Sequence, residues 1–177
     1  APQGATTNVV VTGTGFASGM SLSFGTGITV NSTTYSSATS ATANITIDPA
    51  ATTGARTITA TVNGQNGSNA NLFQVIGAPT ITSFSPARGR AGGAITINGT
   101  NFTTGTTVTM GGVAATANVF STTQISATVP ALGEGDVSVY VTLAGVSSAS
   151  STLTIDNTVP TVTLEQAAEQ VDPTSGS

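Results

Sequence analysis

The side chains that could take part in acid–base, metal or covalent chemistry are few, namely seven carboxylates and three guanidinium groups. The sequence of 177 residues contains no His, no Cys and no Lys. General acid–base catalysis at neutral pH relies most often on His, zinc sites use His and Cys, and a Ser nucleophile needs a neighbouring base. We therefore expect that the chain is not an enzyme and that it binds no cofactor.

The acidic residues are scattered, and the candidate set near the end of the second copy is Glu134, Asp136 and Asp156. Calcium takes about six to eight oxygen ligands, and these residues lack the closely spaced acids of a calcium loop. A glycosidase pair would need sugar-binding aromatic rings beside two carboxylates, and the sequence has only two Tyr and no Trp. The pattern predicts no metal site, and calcium binding at a domain junction stays an open alternative.

Charge and hydropathy limit the partners of the chain. The formal net charge is −4 and the only cations are Arg56, Arg88 and Arg90, too few for a phosphate-binding stripe, so we expect no nucleic acid partner. Apolar runs such as Val9–Val11 are far shorter than the roughly 20 residues that cross a bilayer, so we expect no membrane insertion. The mean hydropathy of +0.24 favours a folded chain over a disordered one.

These sparse reactive residues lie within a repeated module. The segment Val9–Phe16 recurs as Ile95–Phe102, with a Gly and a Phe at matching positions, and Gly19–Gly25 recurs as Gly105–Gly111. Self-similarity of this kind indicates two copies of one structural unit. The repeat predicts one domain over residues 1–77 and a second over residues 78–156.

Apolar residues alternate with Thr, Ser or Asn inside each copy, as in Ile95/Ile97 and Val137/Val139/Val141. Side chains two residues apart share one face of a strand, so this period buries one face of a sheet. Clusters of Gly, Pro, Asn and Ser separate the segments at the spacing of a β-sandwich. We predict an all-β chain, with a core that includes Phe16, Phe24, Phe73, Phe84, Phe102, Val108, Ile125, Val139 and Leu153.

The second copy contains a characteristic series of segments, namely Pro79–Pro86, Gly92-Gly93, Ile95–Phe102, Val108–Gly112, Gln124–Pro130 and Val137–Val141. Through these segments it resembles the IPT/TIG family of immunoglobulin-like domains almost from end to end. The first copy resembles the same family through Gly13–Phe16, Phe24-Gly25 and Gly54–Arg56. The resemblance implies two tandem immunoglobulin-like sandwiches, a fold used mainly as a rod segment or interaction module in extracellular and cell-surface proteins.

Two departures from the family pattern stand at the ends of the chain. The first copy has no segment that corresponds to Thr80–Pro86, the opening strand of the second copy, so we expect its sandwich to be one strand short. Residues 157–177 extend past the second copy and resemble the start of a further bacterial immunoglobulin-like repeat. Leu164–Val171 is the only helix-friendly stretch.

The favoured function is structural, as a stalk or filament on the surface of a bacterial cell, with self-association or packing on neighbouring immunoglobulin-like domains. In its sharper form Thr161, Val162, Thr163 and Leu164 are donated as a strand to the open edge near Val9, Val10 and Val11 of another copy, which would polymerise chains head to tail. A strand supplied in cis from preceding residues is an equal alternative.

A second hypothesis is a cell-surface adhesin or glycan-binding module. Loop tips at residues 63–69 and 111–115 would then contact a protein or glycan ligand. Glycan binding favours exposed aromatic platforms, and both Tyr35 and Tyr140 fall in or beside predicted strands.

Overall fold

The computed structural model describes residues 1–163, in which strands are joined by turns and short loops without a helix. The Thr-rich alternating segments form strands because β-branched side chains suit a pleated, half-buried surface. The strands of the first half are β1 (Thr6–Thr12), β2 (Ser21–Ser23), β3 (Ile28–Ser37), β4 (Ser40–Ile47), β5 (Gly54–Val62) and β6 (Gln65–Val75). Those of the second half are β7 (Thr80–Ser85), β8 (Arg88–Gly89), β9 (Ala94–Thr100), β10 (Thr107–Met110), β11 (Val113–Ala115), β12 (Ala117–Ser121), β13 (Gln124–Thr128), β14 (Gly135–Leu143), β15 (Val146–Ser147) and β16 (Ser151–Ile155).

Four sheets form two β-sandwiches, as the alternation predicts. The first sandwich, residues 1–76, has sheets of order β1-β4-β3 and β2-β5-β6. The second sandwich, residues 80–155, has sheets of order β12-β13-β9-β7 and β11-β10-β14-β16-β8, with β15 beside β14. Neighbouring strands are antiparallel except for β8 and β16, and Pro2 makes a comparable parallel bridge to Ile76. The division of the chain into domains at residues 77 and 156 stays a prediction.

Each sandwich has its own apolar core, formed where the inward faces of its two sheets meet. Fully buried aromatic and aliphatic side chains dominate both cores, as expected for close packing between sheets. The prediction that Phe73 and Phe84 belong to the buried core is wrong, because both lie at the margin and are only half-buried. The other predicted core residues are buried, namely Phe16, Phe24, Phe102, Val108, Ile125, Val139 and Leu153.

The two predicted loop tips are mostly strand. Only Asn63 and Gly64 form the turn between β5 and β6, and both have positive φ, the conformation of a tight hairpin. Gly111 and Gly112 make the corresponding turn between β10 and β11. Because two-residue turns of this type keep the flanking strands paired, the rest of residues 63–69 and 111–115 stays in the sheets.

Strand β7 has no counterpart in the described part of the first sandwich. In the second sandwich β9 lies between β13 and β7, whereas β1, the equivalent of β9, pairs with β4 alone. Burial follows this difference, since Val9 is half-buried while Ile95, at the matching position, is 1% exposed. The expectation that the first sandwich is one strand short therefore agrees with the topology of residues 1–163.

The repeated Gly of each copy makes room for a nearby Phe ring. A Cβ built on Gly13 would overlap the Phe16 ring at 2.7 Å, and one on Gly99 would overlap both the Phe102 ring and the carbonyl oxygen of Thr80. Since Thr80 belongs to β7, Gly99 also permits the close approach of that strand. Beside Gly13 the equivalent backbone neighbour is missing from the described residues.

We expect Gly99→Ala to destabilise the second sandwich by about 1–3 kcal/mol, and Gly13→Ala to destabilise the first by less. The Gly99 methyl group would displace backbone of β7, whereas the atoms nearest to the Gly13 methyl group belong to the Phe16 side chain. Tyr35 lies in β3 and Tyr140 in β14, and the chain has no Trp. Tyrosine fluorescence during urea unfolding therefore follows the first sandwich in a Tyr140→Phe background and the second in a Tyr35→Phe background. Equal losses of stability would contradict this reading of the glycines.

Candidate strand-acceptor site

The outer edge of β1 carries backbone groups that β4 does not use. The Gly13 N–H donates to the Thr39 carbonyl at 3.0 Å, and the register of β1 with β4 continues without a shift. Because antiparallel strands bond through alternate residues, the N–H and C=O groups of Val10 and Thr12 point away from β4. Such an edge is a template on which another strand can pair.

A cleft of about 470 Å³ opens between the two sheets at the end of this edge. One wall is the end of β1 with the following turn, and the other wall is formed by β5 and β6. Side-chain amides from β6 line its rim, including Gln65, Asn66 and Asn69. Its apolar lining comes from Val11, Phe16, Ile58, Ala60, Val62 and Leu72.

The second sandwich shows how a strand occupies the equivalent place. There β7 pairs antiparallel with β9, and Ile81 and Phe84 pack against the core. On the outer face the Thr80 and Thr100 hydroxyl groups are 2.7 Å apart. The edge of β9 is thus satisfied by main-chain bonds, inward apolar side chains and outward hydroxyl pairs.

An amide ladder ties the outer face of β1 to its sheet. The Asn31 Nδ2 donates to Asn44 Oδ1 at 2.8 Å, and the Asn44 Nδ2 donates to Asn8 Oδ1 at 2.7 Å. These bonds cross from β3 over β4 to β1, so the edge strand is held in register. These side-chain bonds order β1 before any further strand pairs with it.

The predicted interaction residues fall on two separate parts of the chain. Val9, Val10 and Val11 lie in β1, where Val10 points outward and is 65% exposed while Val11 lines the cleft. The segment 161–163 is exposed and outside any strand, and Val162 is 87% exposed. No pairing joins this segment to β1 within residues 1–163. Leu164 lies outside the described residues, as do the helix-friendly stretch Leu164–Val171 and the rest of the extension.

The root of the extension is fixed to the second sandwich. The Asn157 side chain accepts a bond from the Ala91 N–H at 2.9 Å and donates to the Leu132 carbonyl at 3.0 Å. The Thr158 N–H donates to Asp156 Oδ1 at 3.1 Å, and the Thr158 hydroxyl donates to the same oxygen. These bonds set the direction in which the chain leaves β16.

The acidic residues named from the sequence do not converge. The Thr154 hydroxyl donates to Asp136 at 2.6 Å, and Asp156 lies 3.6 Å from the Arg88 guanidinium. In the described part of the chain no three His, Cys, Asp or Glu side chains are grouped to hold a metal ion. Within residues 1–163 there is also no apolar helix of membrane-spanning length.

Sequence reasoning missed the far wall of the cleft. Ile58 and Ala60 on β5 and Leu72 on β6 complete the site opposite β1. Leu72 is an isolated apolar residue in a run of exposed polar ones, and it is 57% exposed. A large exposed Leu in a polar strand is the signal that could have pointed to this wall.

The second half of the chain matches the model of a known domain family. Residues 79–167, half of the chain, match the family model of the IPT/TIG domain. The chain belongs to the IPT/TIG domain family. The match covers the second sandwich and continues past Ile155 into the extension. No curated protein sequence matches the chain.

Two solved structures similar to this IPT/TIG chain belong to larger proteins. The plexin A4 extracellular region, domains 1 to 8, has a TM-score of 0.53 and 18% identity, over 82% of this chain and 16% of that chain. SGBP-B of a Bacteroides ovatus mixed-linkage glucan utilization locus, in complex with a mixed-linkage heptasaccharide, has a TM-score of 0.39 and 18% identity, over 89% and 43% of the two chains. The chain spans less than half of each of these proteins, and such identities show the fold alone.

We expect Thr158→Ala to raise the pKa of Asp156 toward its ordinary value of 3.8. The pKa of this carboxyl is lowered by the side-chain bond from Thr158 first, then by the backbone bond from Thr158, and last by the Arg88 charge. Because the folded pKa is depressed, the turn is stabilised above pH 3.8 and loses that stabilisation as the pH falls through the folded pKa. Carboxyl titration by NMR would measure the pKa of Asp156 in the variant and in the unchanged chain. Arg88→Ala is the control, and it should shift this pKa by less than Thr158→Ala does.

Proposed function

We propose that the chain is a non-enzymatic structural segment of an extracellular protein, in which immunoglobulin-like modules associate head to tail by adding a strand to β1. The observation that carries this proposal is that, within residues 1–163, the outer edge of β1 pairs with no strand and lies beside a cleft with apolar side chains in its lining. An added strand would gain main-chain bonds from the edge and side-chain burial from the cleft, the two contributions on which β-augmentation depends.

An open edge is costly to leave uncovered. Long exposed edge strands promote unspecific aggregation, and proteins usually blunt them with Lys, Pro or a bulge. Strand β1 contains no charge and no Pro, and its pairing with β4 has no bulge. A specific partner strand is therefore the simplest way to satisfy this edge.

Contacts at the junction favour a stiff segment over a loose linker. Val146 of the second sandwich packs against the core of the first. The Asn101 Nδ2 donates to the carbonyl of Ala78, between the two sandwiches, at 2.9 Å. Close contacts across a short connection are what a rod-like spacer requires.

Glycan binding is the second candidate, and the amides on the rim of the cleft favour it. Gln65, Asn66 and Asn69 offer donors and acceptors of the kind that bind sugar hydroxyl groups. The only aromatic ring in the lining is Phe16, which is 8% exposed and offers no open stacking face. Saturable binding on a glycan array by both the intact and the truncated chain described below would favour this candidate over strand addition.

We expect the intact chain to form concentration-dependent oligomers and a chain ending at Val159 to stay monomeric in multi-angle light scattering. Truncation at this point keeps Asn157 and its two bonds to the second sandwich, so the fold is preserved. Negative-stain electron microscopy should show filaments only for the intact chain. Oligomers that persist after truncation, or monomers at every concentration of the intact chain, would contradict head-to-tail strand addition.

A further inference from the structure

The extension repeats the beginning of β7. Pro160-Thr161-Val162-Thr163 follows the second sandwich as Pro79-Thr80-Ile81-Thr82 follows the first. In the second sandwich this Pro-Thr-Ile-Thr segment enters the strand that covers β9. The extension therefore carries the sequence pattern of the one strand that the described first sandwich lacks.

The end of β1 offers the space that such a strand needs. Ile81 of β7 faces Gly99, and Gly99 is small enough for the Thr80 carbonyl to lie against it. Gly13 stands at the matching position of β1, and the three atoms nearest to a Cβ placed there all belong to the Phe16 ring. The volume that β7 fills beside Gly99 is thus open cleft beside Gly13.

The spacing of the apolar residues selects a register. Strand β7 has a bulge between Ile81 and Ser83, which brings Phe84 opposite Ile97. In the extension the apolar residues are two apart, at Val162 and Leu164, so both face inward only if the strand enters without a bulge. A strand without a bulge would place Val162 opposite Gly13 and Leu164 opposite Val11.

Resting on the proposed strand addition, we propose that the occupant of the cleft is Thr161–Leu164 of a second copy of this chain, antiparallel to β1 and without a bulge. Val162 and Leu164 fill the cleft between Phe16 and Leu72. Thr163 lies on the outer face opposite Thr12, as a hydroxyl pair of the kind that Thr80 makes with Thr100.

The exposure of the extension agrees with a segment that is buried only in an assembly. Val162 and Val159 are 87% and 71% exposed, more than any other large apolar residue in the described residues. Asn157 is bonded to the second sandwich, and residues 158–163 beyond it are all exposed. A strand presented in this way is free to enter the cleft of a neighbouring copy.

Engineered cysteine pairs test this register directly, because the chain has no Cys of its own. We expect Thr12→Cys mixed with separately purified Thr163→Cys to form disulfide-linked heterodimers as the main product under mild oxidation. Facing residues of an antiparallel pair lie about 5.5 Å apart at Cα, within reach of a disulfide. Thr12→Cys mixed with Thr161→Cys is the matched control, since these residues are two positions out of register and should not cross-link.

A second pair of variants reports on burial in the cleft. Val162→Asp should abolish oligomers, because it places a charge in the apolar cleft, whereas Thr161→Asp adds the same charge on the outer face and should leave assembly in place. Both changes lie in the exposed extension and leave the two sandwiches intact.

Two outcomes overturn the inference while leaving the proposed strand addition standing. The first is a dominant cross-link of Thr12→Cys with Leu164→Cys, which would indicate the bulged register of β7. The second is equal assembly of the Val162→Asp and Thr161→Asp variants, which would mean that another part of the extension binds. Two other outcomes would remove the proposed function itself. One is failure of the intact chain to assemble, and the other is a cross-link within one chain that carries both Thr12→Cys and Thr163→Cys, which would mean that the extension folds back on its own copy.

Discussion

The backbone edge of β1, which pairs with no strand in residues 1–163, is the constraint on which the rest of the structure depends. Main-chain N–H and C=O groups are obligatory hydrogen-bonding groups, and a strand that pairs on one side only leaves half of them to solvent. In the first sandwich this edge lies beside a cleft that is partly lined by apolar side chains. Water can bond to the backbone groups of the edge, but it leaves those apolar side chains hydrated. A further strand satisfies the polar edge and the apolar cleft at the same time.

The second sandwich shows the same fold with this constraint resolved. Its β9 has partners on both sides, and its inward residues Ile95 and Ile97 are fully buried. The single strand β7 accounts for the difference, through Ile81 and Phe84 against the core and Thr80 against Gly99. Two sandwiches of one chain thus provide an internal comparison between a covered and an uncovered edge.

Much of the fold could be predicted from the sequence because its signals are local. The alternation at Ile95/Ile97 gives the strands, and the repeated Gly and Phe of each copy give the turns and the core plugs. The tight turns at Asn63-Gly64 and Gly111-Gly112 also have local signals, but the predicted loops around them were too long, because a two-residue turn keeps the flanking strands paired. The site was predicted on one side only, since pairing places Leu72 opposite β1 across the cleft and no local pattern encodes that contact.

Amide hydrogen exchange of β1 tests the central claim most directly. The Val10 and Thr12 amides face the open edge, so in the chain truncated after Val159 they should exchange rapidly, while the Gly13 amide, bonded to Thr39, stays protected. In the intact chain at assembling concentration we expect the Thr12 amide to become protected together with the Thr163 amide, because these two residues bond to each other in the proposed register. Rapid exchange at Thr12 in the assembled chain would contradict the assignment of β1 as the acceptor edge.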